Sequence, residues 1–301
     1  MDGKSCLYYL RQLLSELSDS SFLDERTSYE YLWEAAKVFA SRTGVLRSTQ
    51  SITTVADQAA YTLNADFENL YLRDAYSDFV VKYNDGTNNI WPKWKPYEEI
   101  ITEDNTTSVD YPDNFTVFDA PTLSAQISST TTSAGAATGG LCNLTDTASS
   151  FSNVEAGDAV HNNTDGSDGY VVSKTSTTVL VVALFGGTNN DITSGDAYVI
   201  QPQGRLQLQL SPPPSTAGHT VTVYYLQKPL PVFSSYGIYR FSEQFMNVII
   251  KYAAWLYKYR DTDPNFGDKW YNMFDMEVRR ANKVLNASSK KDNFSVSFRK
   301  R

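Results

Sequence analysis

The 301-residue sequence predicts an α+β protein in which helical pairs at both chain ends flank an antiparallel β region. Three observations predict this class. Apolar residues recur at helical spacing near both ends, the middle is rich in β-branched, aromatic and turn residues, and residues 122–202 differ in composition from their surroundings. We therefore expect a core unit formed by residues 1–121 and 203–286, an inserted β module at 122–202, and a basic tail at 287–301.

Two amphipathic helices are predicted at the N-terminal end. The first carries leucines three and four residues apart, at Leu7, Leu10, Leu14 and Leu17. Arg11 and Glu16 interrupt its apolar run, which favours a helix of the folded protein over a signal peptide. The second helix is expected to begin with a capping box at Thr27–Glu30 and to end at Gly44. No apolar run in the sequence has the ~20 residues needed to cross a bilayer.

The middle of the sequence predicts short strands joined by turns. These strands are expected near residues 51–55, 69–72, 79–83, 115–118, 205–210 and 220–226. Asn84-Asp85-Gly86 supplies a hairpin turn. The aromatic segment Trp91–Tyr97 suits a sugar-binding platform or a single-strand nucleic-acid stacker. Its prolines stiffen it, and we favour the interpretation that its aromatic rings pack on a core or on a neighbouring subunit.

Residues 122–202 predict a small antiparallel β-barrel or sandwich. They are rich in Ser, Thr, Gly and Asp and contain no Trp. Two Gly-Asp-Ala corners, at Gly157 and Gly195, bracket two predicted strands. Aspartates and glycines of the run 157–172 suggest a calcium-binding loop, which needs glycine at position six and a carboxylate at position twelve. Neither glycine register meets that requirement, so we interpret the run as turn chemistry and leave only a nonstandard calcium loop open.

Two further helices are predicted near the C-terminal end. One face of the first is formed by Phe241, Phe245, Ile249, Tyr252, Leu256 and Tyr259. Asp263-Pro264 is typical of a helix start. The second helix then carries Trp270, Phe274, Val278, Ala281 and Leu285 on one side. The pattern predicts an antiparallel helical hairpin. Beyond Asn286 only an alternation at Phe294, Val296 and Phe298 remains.

Charge is distributed unevenly around a net value of −8. Residues 279–301 contain eight Lys or Arg residues and one acid, Asp292, whereas residues 102–200 contain twelve acids and one base, Lys174. This pattern predicts a body that repels nucleic acid and a tail that meets an acidic partner or remains solvated. The two cysteines, Cys6 and Cys142, indicate neither a disulfide framework nor a zinc site.

The sequence indicates no enzyme, cofactor or metal. Its histidines are His161 and His219, neither of which has a second ligand at metal spacing. The nucleophile elbow, the phosphate loop and the dinucleotide fingerprint are missing from the sequence. A glycosidase pair would be assembled in space from aspartates such as Asp110, Asp113, Asp119, Asp158, Asp165, Asp168 and Asp191. Solvated turn acids are the favoured interpretation, because this region has many acids and almost no bases.

Residues 53–67, TTVADQAAYTLNADF, resemble the stretch T-x-V-x-G-Q-x-x-Y-x-L-P-x-D-F of head-to-tail adaptor (connector or tail accessory factor) proteins of tailed bacteriophages, particularly short-tailed phages. In that family the stretch follows two N-terminal helices. Here Asp57 replaces the turn glycine and Asn64 replaces the proline. Residues 111–115, the pair 208–212 and 221–229, and the closing helix pair also resemble the family.

The resemblance implies a structural virion protein at the head–tail junction, assembled in the bacterial host cytoplasm. Such adaptors form a homo-oligomeric ring, commonly of twelve subunits, beneath the portal protein. The ring extends the channel for genomic double-stranded DNA, which passes without sequence-specific or membrane contacts, and it presents a docking surface to downstream tail or nozzle proteins. An acidic surface would let the duplex slide, because binding needs Lys or Arg to neutralise phosphates. No catalysis is implied.

Two sets of residues are expected to make the contacts of such a ring. Packing between subunits is assigned to Phe241, Phe245, Ile249, Tyr252, Leu256, Trp270 and Phe274. Docking on the portal is assigned to Phe294, Val296, Phe298, Arg299, Lys300 and Arg301. The alternatives are a virion-associated glycan-binding tail protein and a cell-wall or polysaccharide-degrading tail protein.

Overall fold

The computed structural model describes residues 2–15, 24–70, 79–102, 107–119, 125–135, 141–230, 241–260 and 264–287. Five helices lie in these residues: α1 (Gly3–Leu14), α2 (Glu25–Thr43), α3 (Tyr97–Thr102), α4 (Met246–Arg260) and α5 (Pro264–Ala287). Three β-sheets lie between α2 and α4 in the chain. The fold is therefore mixed α+β, as expected, with helices at both ends and antiparallel sheets in the middle.

Both N-terminal helices begin with an aspartate cap. The Asp2 carboxylate accepts from the Ser5 N–H at 2.7 Å and the Asp24 carboxylate from the Thr27 N–H at 2.6 Å. The cap of α2 is therefore Asp24, three residues before the expected cap Thr27. The predicted capping box was wrong, because the Asp24 carboxylate satisfies the free amide of the first turn. The end of α2 was predicted correctly, because Gly44 adopts φ 59° and donates to the Ala40 carbonyl. Leu17 lies outside the described residues.

Helices α1, α2, α4 and α5 pack together around one hydrophobic core. Buried side chains of this core include Leu7, Leu10, Leu32, Ala36, Phe39, Phe245, Ile249, Ala253, Phe274 and Val278. Phe39 of α2 lies against Phe241 and Phe245, with ring centroids 5.7 and 5.4 Å apart. Both ends of the chain therefore contribute to one helical layer, as the apolar stripes predicted.

The central β region is a sandwich of two sheets. The first contains β1 (Arg47–Thr53), β3 (Phe67–Leu70), β4 (Val81–Asn84), β5 (Asn89–Ile90) and β15 (Thr220–Gln227). The second contains β2 (Ala60–Thr62), β6 (Lys93–Trp94), β7 (Asn114–Asp119) and β14 (Leu206–Ser211). Alternate residues of both sheets, such as Val221, Val223 and Leu208, fill the core between them.

The sandwich confirms the expected strands to within a few residues. The hairpin predicted at Asn84-Asp85-Gly86 joins β4 to β5, and Gly86 has φ 94°. The sequence did not predict helix α3 or the parallel pairing of β6 with β7. Both elements are short, so they carry little periodic signal.

The inserted module has its own core and a six-stranded antiparallel sheet. Its strands are β8 (Ile127–Thr130), β9 (Leu141–Thr145), β10 (Ala159–Asn162), β11 (Ser167–Lys174), β12 (Val179–Phe185) and β13 (Ala197–Gln201), in the order β8-β13-β10-β11-β12-β9. The sheet curves into a half-barrel, and a bridge between Ser133 and Thr145 links its two edges. The prediction of an antiparallel β module is confirmed, with one curved sheet in place of the expected barrel or sandwich. Among the described helices, none is long and apolar enough to cross a membrane.

Candidate functional surfaces

The two histidines lie apart, and each faces one partner. His161 of β10 lies opposite Asp168 of β11, with Nδ1 and Oδ1 2.7 Å apart on an exposed face. The His219 Nδ1 lies 2.7 Å from the Tyr83 hydroxyl. No group of three His, Cys, Asp or Glu side chains that could hold a metal occurs within the described part of the chain. The histidines are therefore accounted for as paired side chains of the β region.

Several aspartates of the insert act as internal hydrogen-bond acceptors. Asp146, Asp158 and Asp196 are buried. Asp146 accepts from the Tyr198 hydroxyl at 2.7 Å and from the Ala148 N–H at 2.8 Å. Burial opposes its ionisation, but these bonds and one from Ser129 together lower the pKa of Asp146 to about 2. The acid count of the sequence therefore overstates the acidity of the insert surface.

The exposed and half-buried aspartates considered for a glycosidase pair have separate surroundings. Asp165 accepts from the backbone N–H groups of Asn189 and Asn190 at 2.8 and 2.9 Å, and these bonds outweigh burial to lower its pKa. Asp110 accepts from the Ser215 hydroxyl at 3.0 Å, and Asp191 accepts from the N–H of the residue that follows it. Asp113 and Asp119 are exposed. Turn chemistry explains the run 157–172, in which Gly166 has φ 72° between β10 and β11.

The two Gly-Asp-Ala corners have the same geometry. In each corner, the aspartate and the residue three positions before it form two hydrogen bonds. The backbone N–H of the aspartate donates to the carbonyl of the earlier residue, and the backbone N–H of the earlier residue donates to the aspartate carboxylate. The Glu155 N–H donates to the Asp158 carboxylate at 2.8 Å, and the Thr193 N–H donates to the Asp196 carboxylate at 2.7 Å. Gly157 and Gly195 have φ 98° and 91°, which glycine adopts without strain. The repeated sequence pattern therefore corresponds to a repeated turn.

One of these corners is clamped to the sandwich by an arginine whose side chain is mostly covered. Arg205 places its guanidinium 2.7 Å from Glu155 and 2.8 Å from Asp158, and its side chain is 9% exposed. Asp158 also accepts from the Gln203 N–H at 3.0 Å, and Glu155 accepts from the Ala65 N–H at 2.9 Å. We call Arg205, Glu155 and Asp158 the junction clamp. It fixes the insert to the start of β14, which follows the insert in the chain. Through Ala65 it also holds residues 53–67, which we call the resemblance segment.

A cavity of about 300 Å³ lies beside the junction clamp, where α2, the sandwich and the insert meet. Its aromatic walls are Trp33 of α2, Tyr170 of β11 and Phe185 of β12. The Trp33 ring N–H donates to the Pro229 carbonyl at 3.1 Å. We call this space the junction cavity. Sequence reasoning missed it, because its walls are up to 196 residues apart in the chain.

The residues assigned to packing between subunits lie mainly inside the subunit. Phe241, Phe245, Ile249, Tyr252 and Phe274 are all buried in the helical core of their own chain. Leu256 and Trp270 are partly buried against the same core. A second copy cannot reach the five buried side chains, because helices of the same chain already cover them. Any contact between copies through these helices would therefore have to use other side chains.

Two exposed aromatic patches remain on the helical layer. The α1 patch consists of Tyr8 and Tyr9, which are 57% and 46% exposed, and a groove of about 280 Å³ between Leu13 and Ile250. The α4–α5 patch consists of Tyr259, which is 66% exposed, and the half-buried Trp255 and Tyr271, with Trp255 5.6 Å from Tyr259 and 5.1 Å from Tyr271 between ring centroids. The α4 residues of the two patches differ by roughly a third of a turn in direction around the helix. They are about two turns apart along the helix axis.

The aromatic segment Trp91–Tyr97 packs mainly on the sandwich. Trp91 lies edge-on to Phe79 and stacks over Tyr224 at 5.3 and 6.3 Å. Tyr97 stacks on Phe118 at 4.9 Å. The packing interpretation is confirmed for these two rings. Trp94 remains about half exposed on the edge strand β6.

The resemblance segment folds as its motif predicts. Residues 53–67 run from the end of β1 through a turn into β2 and then to the start of β3. Asp57, which replaces the turn glycine, adopts φ 62°, and its carboxylate accepts from the Ser108 hydroxyl. Asn64, which replaces the proline, donates to the Tyr225 hydroxyl at 3.2 Å. Both residues therefore fit the strand, turn and strand that the sequence of this segment predicts.

The residues assigned to portal docking, from Phe294 to Arg301, lie outside the described residues, as do Asp263 and the side chain of Leu285. Comparison with known proteins finds no family model that matches the chain and no curated protein that matches it. Function must therefore be argued from the site geometry and from the resemblance of residues 53–67.

Proposed function

We propose that the protein is a head-to-tail adaptor that forms a ring beneath the portal of a tailed bacteriophage. The observation that carries this proposal is the presence of two different exposed aromatic patches on one helical layer. A ring in which each copy contacts the next head to tail needs two different patches on every subunit. A two-fold dimer would need only one self-complementary patch. The α1 patch and the α4–α5 patch meet the requirement of a ring.

The chain order of the elements supports the same proposal. Helices from the two chain ends share one core, and the resemblance segment follows α2 directly. The left-handed torsion at Asp57 is the conformation that the family's glycine adopts most readily. Because the helical core is complete within one subunit, we propose that the ring forms by docking of preformed helical layers and not by exchange of helices.

A basic face on α5 supports docking on an acidic partner. Lys269, Arg279, Arg280 and Lys283 are all exposed on this helix. Arg279 pairs with Asp275 at 2.8 Å, and the other three have no acid partner among the described residues. The basic sequence continues through the tail at 287–301. We therefore propose that the α5 face and the tail, including Phe294, Val296, Phe298, Arg299, Lys300 and Arg301, dock together on the portal.

Electron microscopy of the protein mixed with its portal tests the proposal. The wild-type chain should add a second ring beneath the portal. Tyr9→Ser and Tyr259→Ser each remove one exposed ring from one patch, so either variant should reduce ring formation at least tenfold. Trp94→Ser, which removes a ring that is 47% exposed at the edge of the sandwich, is the matched control and should assemble normally. Portal particles without added density in the wild-type mixture would refute the adaptor proposal.

Deletion of residues 287–301 tests the docking role separately. We expect the shortened chain to lose attachment to the portal, because most of the basic cluster and the apolar alternation are removed. Its helical layer lacks only the last residue of α5, so its thermal unfolding should be unchanged. Normal attachment of this variant would contradict the docking role and leave the ring proposal intact.

A further inference from the structure

The junction cavity is the strongest unexplained site outside the assembly surfaces. Three separate parts of the fold contribute its aromatic walls: Trp33 from the helical layer, and Tyr170 and Phe185 from two neighbouring strands of the insert. Gln203, Asp66 and Lys228 supply polar atoms around the same space. Cavities of this size that combine an apolar lining with a few polar groups at a junction between structural units are typical ligand sites.

We propose that the junction cavity binds an acidic sugar, a pyranose ring that carries a carboxylate. A pyranose has apolar C–H faces and polar edges. Aromatic rings such as Trp33 and Tyr170 can cover the faces, because their π-electron surfaces attract the slightly positive C–H groups. The side-chain amide of Gln203 lies at the wall, where ring hydroxyls need hydrogen-bond partners.

Lys228, a cation at the cavity wall, can meet an anionic ligand. Two other cations near the cavity are already paired. Arg26 lies 4.9 Å from the Phe185 ring and pairs with Glu30. Lys37 lies 4.3 Å from the Trp33 ring and pairs with Glu34. Lys228 is exposed and has no ion-pair partner among the residues that the structure describes.

The one carboxylate at the wall is already held by donors. Asp66 accepts from the Tyr225 hydroxyl at 2.8 Å and from the Gln227 side-chain amide at 2.6 Å. These bonds occupy both carboxylate oxygens with neutral donors, so the sandwich holds the Asp66 side chain in place. Lys228 is therefore the cation left to meet a ligand carboxylate.

The wall on the insert side is held in place before any ligand arrives. Ala156 and Gly157 line the cavity, and both belong to the corner that the junction clamp fixes. Gln203 is anchored twice, because its backbone N–H donates to Asp158 and its side-chain amide donates to the Gly157 carbonyl. Little conformational entropy is lost when a ligand enters a site prepared in this way.

The test is titration calorimetry of the full chain with D-glucuronate and with D-glucose, its neutral counterpart. We expect glucuronate to bind at least tenfold more tightly than glucose. Lys228→Met should reduce glucuronate binding to the level of glucose, and Lys93→Met, at an exposed lysine of β6, is the matched control. Ala159→Leu places a larger side chain in the cavity at an exposed position and should abolish binding of both sugars without lowering the melting temperature.

Three results would overturn the inference. They are equal binding of glucose and glucuronate, no effect of Lys228→Met, and no binding of either sugar. Octanoate serves as a competing probe, and tighter binding of octanoate than of glucuronate would show that the cavity takes an acyl chain instead. The measurement uses the isolated subunit, so its failure leaves the ring proposal untouched.

Discussion

Replacement of Arg205 by methionine tests whether the junction clamp joins the insert to the core unit. The substitution keeps most of the side-chain volume but removes the guanidinium that lies 2.7 Å from Glu155 and 2.8 Å from Asp158. Asp158 is fully buried, so its charge cannot turn to water. It retains only the N–H groups of Glu155 and Gln203 as donors.

The expected cost follows from that burial. Removing one partner of a buried ion pair costs about 3–5 kcal/mol of unfolding free energy, because the other charge is left uncompensated. Two backbone donors remain on Asp158, so we expect the lower end, about 3 kcal/mol. Arg279→Met is the matched control. Arg279 lies 2.8 Å from Asp275 but is 77% exposed, and its loss should cost about 0.3–0.5 kcal/mol.

Urea unfolding with two probes measures both the cost and its location. All five tryptophans lie outside the insert, so their fluorescence reports on the core unit, whereas amide hydrogen exchange of residues 157–172 reports on the insert. The wild-type transitions should coincide, and Arg205→Met should unfold the insert at lower urea. Adding Asp158→Asn should restore part of the loss, since no fully buried charge is then left unpaired and Glu155 is partly exposed to water. A loss below about 0.5 kcal/mol in Arg205→Met would refute the reasoning.

Three further outcomes are expected. Asp146→Asn should remove part of the acid sensitivity of the insert. A carboxyl whose folded pKa is lowered to about 2 stabilises fully above its unfolded pKa near 3.8 and loses that stabilisation as pH falls toward 2, so the melting temperatures of the wild type and the variant should converge in that range. Asp57→Val should lower stability by about 1–2 kcal/mol in urea titrations while Asp57→Gly stays within about 1 kcal/mol of the wild type, because only glycine adopts a positive φ freely. Phe39→Ala should cost about 3–5 kcal/mol by calorimetry, because it empties the centre of the helical core, and a smaller cost would contradict the close packing against Phe241.

The sequence predicted the helices and the turns well, because both depend on local chemistry. Leucine spacing in α1, the glycine that ends α2 and the Asn-Asp-Gly hairpin each act within a few residues of chain. The Gly-Asp-Ala corners were recognised as turns for the same reason. The start of α2 was misplaced because two caps lie three residues apart, and only the structure shows that Asp24 makes the bond.

The sequence could not show what covers each apolar face or neutralises each charge. Periodicity predicts that Ile249 and Phe274 are buried, but it does not say whether their own chain or a second copy buries them. The structure assigns them to the subunit core. The junction clamp was equally invisible, because Arg205 and Asp158 are 47 residues apart in sequence and their pairing depends on how the insert folds back.

The mass of the assembly formed with the portal tests the central claim most directly, because a head-to-tail ring must close at a fixed number of copies. Light scattering of the portal complex, after subtraction of the portal, should give a mass near twelve times the 33.7 kDa of one chain. Tyr9→Ser and Tyr259→Ser should each prevent that closed mass from forming. A chain that remains monomeric with the portal present, or that stops at a two-fold dimer, would contradict the account.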